Sequence, residues 1–423
     1  MFVTSYAPPA IGGGPQVLYT LIKDLPPDIY CILTSFYHID NISAQNGSWL
    51  PGGYIFYDNP KATKATSRTP GGSRQGGGIG RDLAARLKTA IRRLPWVAAI
   101  TGVPVAIGQV LTIVRRGRRA IRERAIELMV AVSDYGPALI GTYLLHRQTK
   151  LPFHVIMFDV YQGNYFFYPG GNLLARIFEP RLISAATIVM VNNQGTKDFY
   201  IRRYGPEITS KIRIIYNSTE SAPYIEHQSP YDPKSPYTIM FTGRIYWPQI
   251  GSLKNLIKAI ERMNDLDIRL TIYAPHPPKY IKSLGIDSPK LTLAVAPPSE
   301  MPRIQSQADI LFLPLAWHTK YPDIIETAIP RKMTDYLIAG RPILVHAPSN
   351  SYLVRYAKEN NFAEIVDREN IADLQAAIRR LLADPAHAHQ LMVNAQRTFF
   401  AHHTVEKNVA MFRALFSDQL QSR

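Results

Sequence analysis

Two successive series of short apolar runs, each run separated from the next by an amphipathic stretch, constrain this chain more than any other feature. The first series comprises Met1–Ser5, Tyr30–Thr34, Gly53–Tyr57, Phe153–Phe158, Ile188–Asn192 and Ile212–Tyr216. The second comprises Ile239–Thr242, Arg269–Tyr273, Leu291–Val295, Ile310–Pro314 and Pro342–His346. Runs this short, bounded by turn residues, read as strands, and strands that alternate with helices pack as parallel sheets. The expectation is therefore an α/β chain with a parallel sheet in each half. A length of 423 residues exceeds what one core usually supports, in agreement with two domains. The polar, proline-rich Ser221–Pro236 is the natural linker between them.

Charge is concentrated in one segment. Between Lys61 and Arg124 lie 15 Lys and Arg against Asp82 and Glu123, so this stretch carries +13 of the net +16. Phosphates, on lipid headgroups or nucleic acid, are the natural partners of such a run. Within it, Leu94–Val114 is uncharged and long enough to span a bilayer. Three features argue against a span. Pro95, Gly102, Pro104 and Gly108 break helical continuity, arginines flank both ends, and a span would part the first strands of the N-terminal half from the others. Two readings stay open. Basic helices around an apolar centre lie on anionic lipid through Arg92, Arg93, Arg115, Arg116, Arg118 and Arg119, or the apolar stretch is core and the arginines are its solvated rim. No zinc module or RNA-binding aromatic pattern favours nucleic acid. The single Cys31 excludes an internal disulfide and a multi-cysteine metal site. The N-terminus lacks a basic n-region and an apolar h-region, so the expected location is cytoplasmic, peripheral to the inner membrane face.

The most informative stretch is Thr327–Val345, TAIPRKMTDYLIAGRPILV. Pro330 suits a first helical turn, Met333, Tyr336 and Leu337 share a face, Lys332 and Asp335 share another, and Gly340 ends the helix. A helix start with a lysine in its first turn is a ready site for a diphosphate. By spacing alone, the same pattern also fits an ordinary helix with a glycine cap and a solvated Lys/Asp pair. Asp265-Leu-Asp267 enters a strand instead of leaving one, so it reads as a turn and not a metal–diphosphate site.

The block Pro330–Pro342 resembles the donor-binding helix of family-4-like glycosyltransferases, in the version Pro-x-Lys-x-x-x-Tyr-Leu-x-x-Gly-Arg-Pro. Asp335 stands at the second of that family's two spaced glutamates. The first position falls on Thr327, with Glu326 one residue early. Other blocks agree in order. Tyr6–Gly14, with Gly12, Gly13 and Gly14, resembles the glycine loop after the first strand, and Leu151–Asp159 the strand that delivers a polar residue to the cleft. Ile212–Asn217 is similar to the last N-domain strand, Phe241–Arg244 to the Gly-Arg turn that pairs with the donor diphosphate, and Ala308–Leu315 to the strand before the donor loop. The lysine expected soon after Arg244 does not align, and Lys254 comes too late, so the second phosphate charge moves to Lys332.

The resemblance implies a GT-B fold: two Rossmann-like domains with parallel sheets facing an inter-domain cleft. It divides the chain into an N-terminal acceptor domain (1–222, with the basic insert at about 61–130), a linker (223–236), a donor-nucleotide domain (237–400) and a last helix (401–423) crossing back. It also implies a retaining transfer of a hexose from a nucleotide-sugar donor to a glycan or lipid-linked acceptor, with no cofactor and no metal. Arg244 and Lys332 would stabilise the departing diphosphate, and the leaving phosphate itself would help to deprotonate the acceptor. Asp159 would contact the acceptor or stabilise charge, or simply close a strand end. Gly12, Gly13, Gly14, Asn217, Gly243, Glu326, Thr327 and Asp335 complete the expected donor set, and Asp323 would join Glu326 on sugar hydroxyls or simply solvate its loop. His154, His318 and His346 read as structural. The competing expectations are an inactive GT-B scaffold that uses its basic segment for association, and a GT-B epimerase.

Overall fold

The computed structural model describes residues 1–10, 12–36, 48–58, 95–133, 136–164 and 169–421, with the side chains of 95–101, 169–170 and 417–421 left aside. Contacts divide the chain into two compact units, Met1–Ile214 and Ile215–Arg423.

In the first unit the described residues form one parallel sheet of order β3-β2-β1-β4-β5-β6-β7. Its strands are β1 (Phe2–Val3), β2 (Cys31–Thr34), β3 (Gly53–Phe56), β4 (Met129–Val132), β5 (Phe153–Met157), β6 (Ile188–Val191) and β7 (Ile212–Ile214). The helices are α1 (Gly13–Ile22), α2 (Pro95–Glu123), α3 (Pro137–Thr149), α4 (Pro169–Ala185) and α5 (Gln194–Tyr204). Every residue of β4 and β5 is buried, as expected of strands covered on both faces. The order reverses between β1 and β4, so the crevice beyond their carboxyl ends is where such a sheet receives ligands.

Two expectations change here. β4 was absorbed into the basic insert, although it pairs with both β1 and β5. The uncharged stretch and the basic stretch after it form one continuous helix, α2, with Pro104 inside. Pro95 opens that helix, where its missing N–H costs nothing, and packing of α2 against α3 and α4 outweighs the hydrogen bond lost at Pro104. Likewise α4 runs through Pro180. No helix among the described residues is long and apolar enough to cross a membrane.

The second unit holds a parallel sheet of order β10-β9-β8-β11-β12-β13. Its strands are β8 (Tyr237–Thr242), β9 (Ile268–Tyr273), β10 (Leu291–Ala294), β11 (Ile310–Pro314), β12 (Ile343–His346) and β13 (Glu364–Val366). Alternate side chains point to opposite faces of a strand, and they split between two cores. Ile239, Phe241, Ile310, Phe312 and Leu344 enter one, while Met240, Leu311, Leu313, Ile343 and Val345 enter the other. The order reverses between β8 and β11. The helices are α6 (Ala222–Glu226), α7 (Trp247–Glu261), α8 (Pro278–Ser283), α9 (Met301–Gln305), α10 (Pro322–Thr327), α11 (Lys332–Ile338), α12 (Tyr352–Asn360), α13 (Ile371–Ala383), α14 (Pro385–His402) and α15 (Val405–Gln421). The last helix, expected over 401–423, begins at Val405, because His403 and Thr404 separate it from α14, with His403 Nδ1 2.8 Å from the Asn217 carbonyl.

The proline-rich stretch before β8 is strapped onto this unit. Arg341 is buried; its Nε donates to Ser306 O (2.6 Å), Nη1 to Ser229 O (3.0 Å) and Nη2 to Ser229 Oγ (2.6 Å). Gln228 Nε2 donates to Ile338 O at 2.8 Å. Asp265 and Asp267 lie in the turn before β9, where Arg379 forks onto Asp265 at 2.5 and 2.7 Å.

Candidate functional site

In the first unit the glycine loop follows β1 and leads into α1. Gly12 caps the helix at φ 152°, a conformation that disfavours L side chains. Gly14 is required for a different reason, because a Cβ there would stand 2.9 Å from the Phe158 ring. Gly13 has nothing within 4 Å of that position. The loop is braced by Gln16 Nε2, which donates to Pro9 O (2.8 Å) and Ala10 O (3.2 Å), and by Tyr54 Oη, which donates to Pro8 O (2.8 Å).

The contact of Gly14 with Phe158 brings the glycine loop beside Asp159, the second residue past β5. The backbone on either side of Asp159 is heavily braced. Phe158 N–H donates to Ser133 Oγ (3.0 Å), and Asn192 Nδ2 donates to Phe158 O (2.8 Å). Gln162 N–H donates to Glu179 Oε2 (2.7 Å), Gly163 N–H to Asn172 Oδ1 (3.1 Å), and Asn164 Nδ2 to Val160 O (3.0 Å). Glu179 is fully buried; it also accepts from Tyr204 Oη at 2.5 Å and meets Arg203 at 3.4 Å. Water reaches Asp159, yet the protein crowded around it pushes its pKa up to about 6 by desolvation.

In the second unit β8 ends at Thr242, and Gly243 turns the chain at φ 104°. A Cβ on Gly243 would touch Lys332 Cε and Nζ at 3.5 Å, so the structure brings these two expected donor residues together. Lys332 opens α11; its Nζ is buried, makes no hydrogen bond, and lies 3.5 Å from the centroid of the Phe241 ring. Burial lowers its pKa from 10.5 to about 7, against a smaller opposing pull from Asp335. Beside it Arg331 has a buried Nε that also lacks a partner. Burial raises the pKa of Asp335, offset by Arg331, by a hydrogen bond from Thr219, by Lys332 and by a hydrogen bond from Tyr224. The helix begins at Lys332, so Pro330 stands before its first turn and not in it. Tyr336 Oη accepts from Thr242 N–H (2.9 Å) and lies 3.2 Å from Thr242 Oγ1, which accepts from Gln305 Nε2 at 3.0 Å. This network fixes the end of β8 relative to α11.

Arg244 is exposed, and it lowers the pKa of His276, second to burial. Glu326 and Asp323 are half-buried on α10, and the buried Thr327 donates its hydroxyl to Asp323 O at 2.7 Å. Asn217 is buried two residues before Thr219. His154 and His346 are fully buried, and exposed His318 lies 2.8 Å from Glu369. Of the basic set, Arg92 and Arg93 fall outside the described residues. Arg115, Arg118 and Arg119 are exposed, while Arg116 is half-buried. Among the described residues no group of acids, histidines and cysteine could hold a metal ion. Sequence reasoning missed Thr219, Tyr224 and Arg331. The first two lie more than a hundred residues from Asp335 and carry no local signal, whereas Arg331 sat inside the motif.

Residues 236–384 match the family model described as glycosyl transferases group 1. A comparison with curated protein sequences finds no match. Among solved structures, the chain is similar to sucrose-phosphate synthase from Thermosynechococcus elongatus, at 13% identity and TM-score 0.67 over 100% of this chain and 99% of that one. It is similar to HepE of Anabaena in complex with UDP and glucose, at 13% identity and TM-score 0.62 over 98% of each. It is also similar to a UDP-N-acetylglucosamine 2-epimerase, at 12% identity and TM-score 0.59 over 100% and 96%. Transferases and an epimerase share this architecture, so the fold by itself leaves the reaction open. The matched model is one of transferases and covers residues 236–384, so the second unit carries a glycosyl transferases group 1 domain on a chain of the GT-B fold.

Proposed function

We propose that the chain transfers a hexose from a nucleotide sugar, with retention of configuration, to a glycan or lipid-linked acceptor at a membrane surface. The observation that carries the donor half is Lys332, a buried and unpartnered amine held against Gly243 at the carboxyl end of β8. A diphosphate would give that amine the partner it lacks and raise its pKa, and exposed Arg244 would add a second charge. HepE, which shares the fold, is recorded with UDP and glucose, and this supports a nucleotide-sugar donor. The chain's own cations meet the charge of the leaving diphosphate, so the reading requires no metal.

Bond cleavage at the anomeric carbon develops negative charge on the leaving phosphate and positive charge on the sugar. Preorganised cations at the phosphate lower the barrier at that step. The leaving phosphate takes the acceptor's proton, so no carboxylate nucleophile is required. Asp159, mostly ionised at neutral pH, orients the acceptor hydroxyl or steadies the positive sugar. Asp335 is not a sugar ligand in this reading. Its hydrogen bonds from Thr219 and Tyr224 make it a brace for α11 beside Lys332.

The test is a thermal-shift screen of the full chain against UDP, GDP, ADP and their common sugars, with Arg244→Ala and Lys332→Met alongside. Stabilisation by one nucleotide, lost in both variants, supports the donor site and selects the base for activity assays. No response to any of them overturns the proposal and favours a scaffold that has lost its donor.

A further inference from the structure

We infer that the exposed faces of α2 and α4 seat the first unit on an anionic phospholipid bilayer. This deepens the membrane-surface part of the proposed function and stands independently of the donor site.

The inner side of α2 is ordinary core. Ala106, Val110, Ile113, Gly117 and Ala120 are buried, and the helix packs against α3 and α4. A Cβ on Gly117 would meet Leu145 at 2.5 Å, so α2 and α3 lie close. The outer side is unusual. Pro104, Ile107, Leu111, Arg115, Arg118 and Arg122 recur at intervals of three and four residues, which places them in one stripe along the helix. Its first half is apolar and open to solvent, with Leu111 61% exposed and neighbouring Val105 63% exposed. Its second half is basic and equally open. α4, packed against α2, repeats the gradient: Leu173 and Ile177 are exposed, and the exposed Arg176 and Arg181 lie among and after them.

Charge complementarity identifies the occupant. Among the described residues of the two helices the acids are Glu123, which pairs with Arg119 at 2.6 Å, and Glu179, which is buried. Apart from the half-buried Arg116, the remaining guanidinium groups face solvent with no exposed, unpaired acid beside them on their own helices. An apolar half adjoining a basic half is what a bilayer surface rewards: side chains such as Leu111 enter the acyl boundary while arginines reach the headgroup phosphates. Nucleic acid would use the arginines and gain nothing from Val105, Ile107, Leu111, Leu173 and Ile177. The residues concerned differ from those the sequence suggested. Arg116 turns inward, whereas Arg122, Arg176 and Arg181 join the surface.

The experiment is co-sedimentation of the full chain with vesicles of phosphatidylcholine, with and without phosphatidylglycerol. The variants are Arg115→Gln/Arg118→Gln/Arg122→Gln and Ile107→Gln/Leu111→Gln, with the thermal midpoint of each confirming that it folds. Binding to the anionic vesicles alone is expected, weakened roughly a hundredfold by the triple arginine variant. The apolar pair should also release the protein and leave any residual binding salt-sensitive. Absence of binding to anionic vesicles, or unchanged binding by both variants, overturns the inference. Binding to duplex RNA as tight as to vesicles, with the apolar pair without effect on either, overturns it in favour of nucleic acid. Nucleotide-induced stabilisation, measured on the same variants, should persist. Its absence from the unaltered chain would sink the donor reading while leaving the vesicle result to stand or fall alone.

Discussion

Replacing Lys332 with methionine should stabilise the protein and disable it together. The amine is buried against Phe241 with no hydrogen-bond partner, and its pKa lies at about 7 instead of 10.5. A folded-state pKa below the unfolded one means that the unfolded chain binds the extra proton between about pH 7 and 10.5. Stability therefore rises with pH across that window, and the full penalty is present at and below neutrality. At about 1.4 kcal/mol per unit the depression corresponds to an upper limit near 5 kcal/mol, and partial exposure of the side chain reduces it to about 2 kcal/mol. Methionine keeps the contact with Phe241 and removes the charge. For a unit of roughly 200 residues the gain amounts to a rise of about 4–8 °C in Tm at neutral pH, fading toward pH 10. The same variant should bind the nucleotide diphosphate at least ~30-fold more weakly, since a buried charge-assisted contact is worth about 2 kcal/mol or more. Calorimetric melts at several pH values, with and without nucleotide, measure both effects. A lower melting point at neutral pH, or an undiminished nucleotide response, would refute the reasoning.

Asp159, with its pKa raised to about 6, should impose an acid limb near pH 6 on kcat/KM, and Asp159→Asn should lose that limb along with most of the activity. Its sign in stability is also fixed: the native state holds the proton between about pH 4 and 6, stability falls as pH rises through that window, and the asparagine variant should melt higher at neutral pH. Gly14→Ala should destabilise by about 1–3 kcal/mol through its clash with Phe158, whereas Gly13→Ala, with open space above it, should cost nothing; urea titrations distinguish them. Glu179→Ala should cost about 2–4 kcal/mol by leaving the Gln162 N–H and Tyr204 hydroxyl without their acceptor, and Glu179→Gln clearly less, by the same measurement.

Strands covered on both faces write themselves as short apolar runs, and nearly all of these were legible to within a residue or two. β4 was not, because four apolar residues directly after a basic helix look like the end of an insert until β1 and β5 close around them. Pro104 misled for a related reason. Local propensity argues for a break, and contacts with α3 and α4, invisible in a linear reading, override it. The three-residue β13, which opens on the buried Glu364, was not legible as a strand. At the site, Lys332 and Gly243 were legible through the motif blocks, but their contact was not. Asp335 showed as a retained carboxylate, while its engagement by Thr219 and Tyr224 depends on chain returning from a distant segment.

The strap around Arg341 determines where the chain can be divided. The strand pattern invites a cut just before Tyr237, which would yield a tidy sheet and remove both Ser229 contacts from a guanidinium that stays buried against Ser306. Such a fragment would leave Arg341 Nη2 without its Ser229 acceptor and lose the Gln228 hydrogen bond to the end of α11. A fragment beginning at Ile215 retains the strap together with Thr219 and Tyr224. Donor recognition could then be studied on a separately expressed half whose first twenty-odd residues look like spacer and act as a fastening.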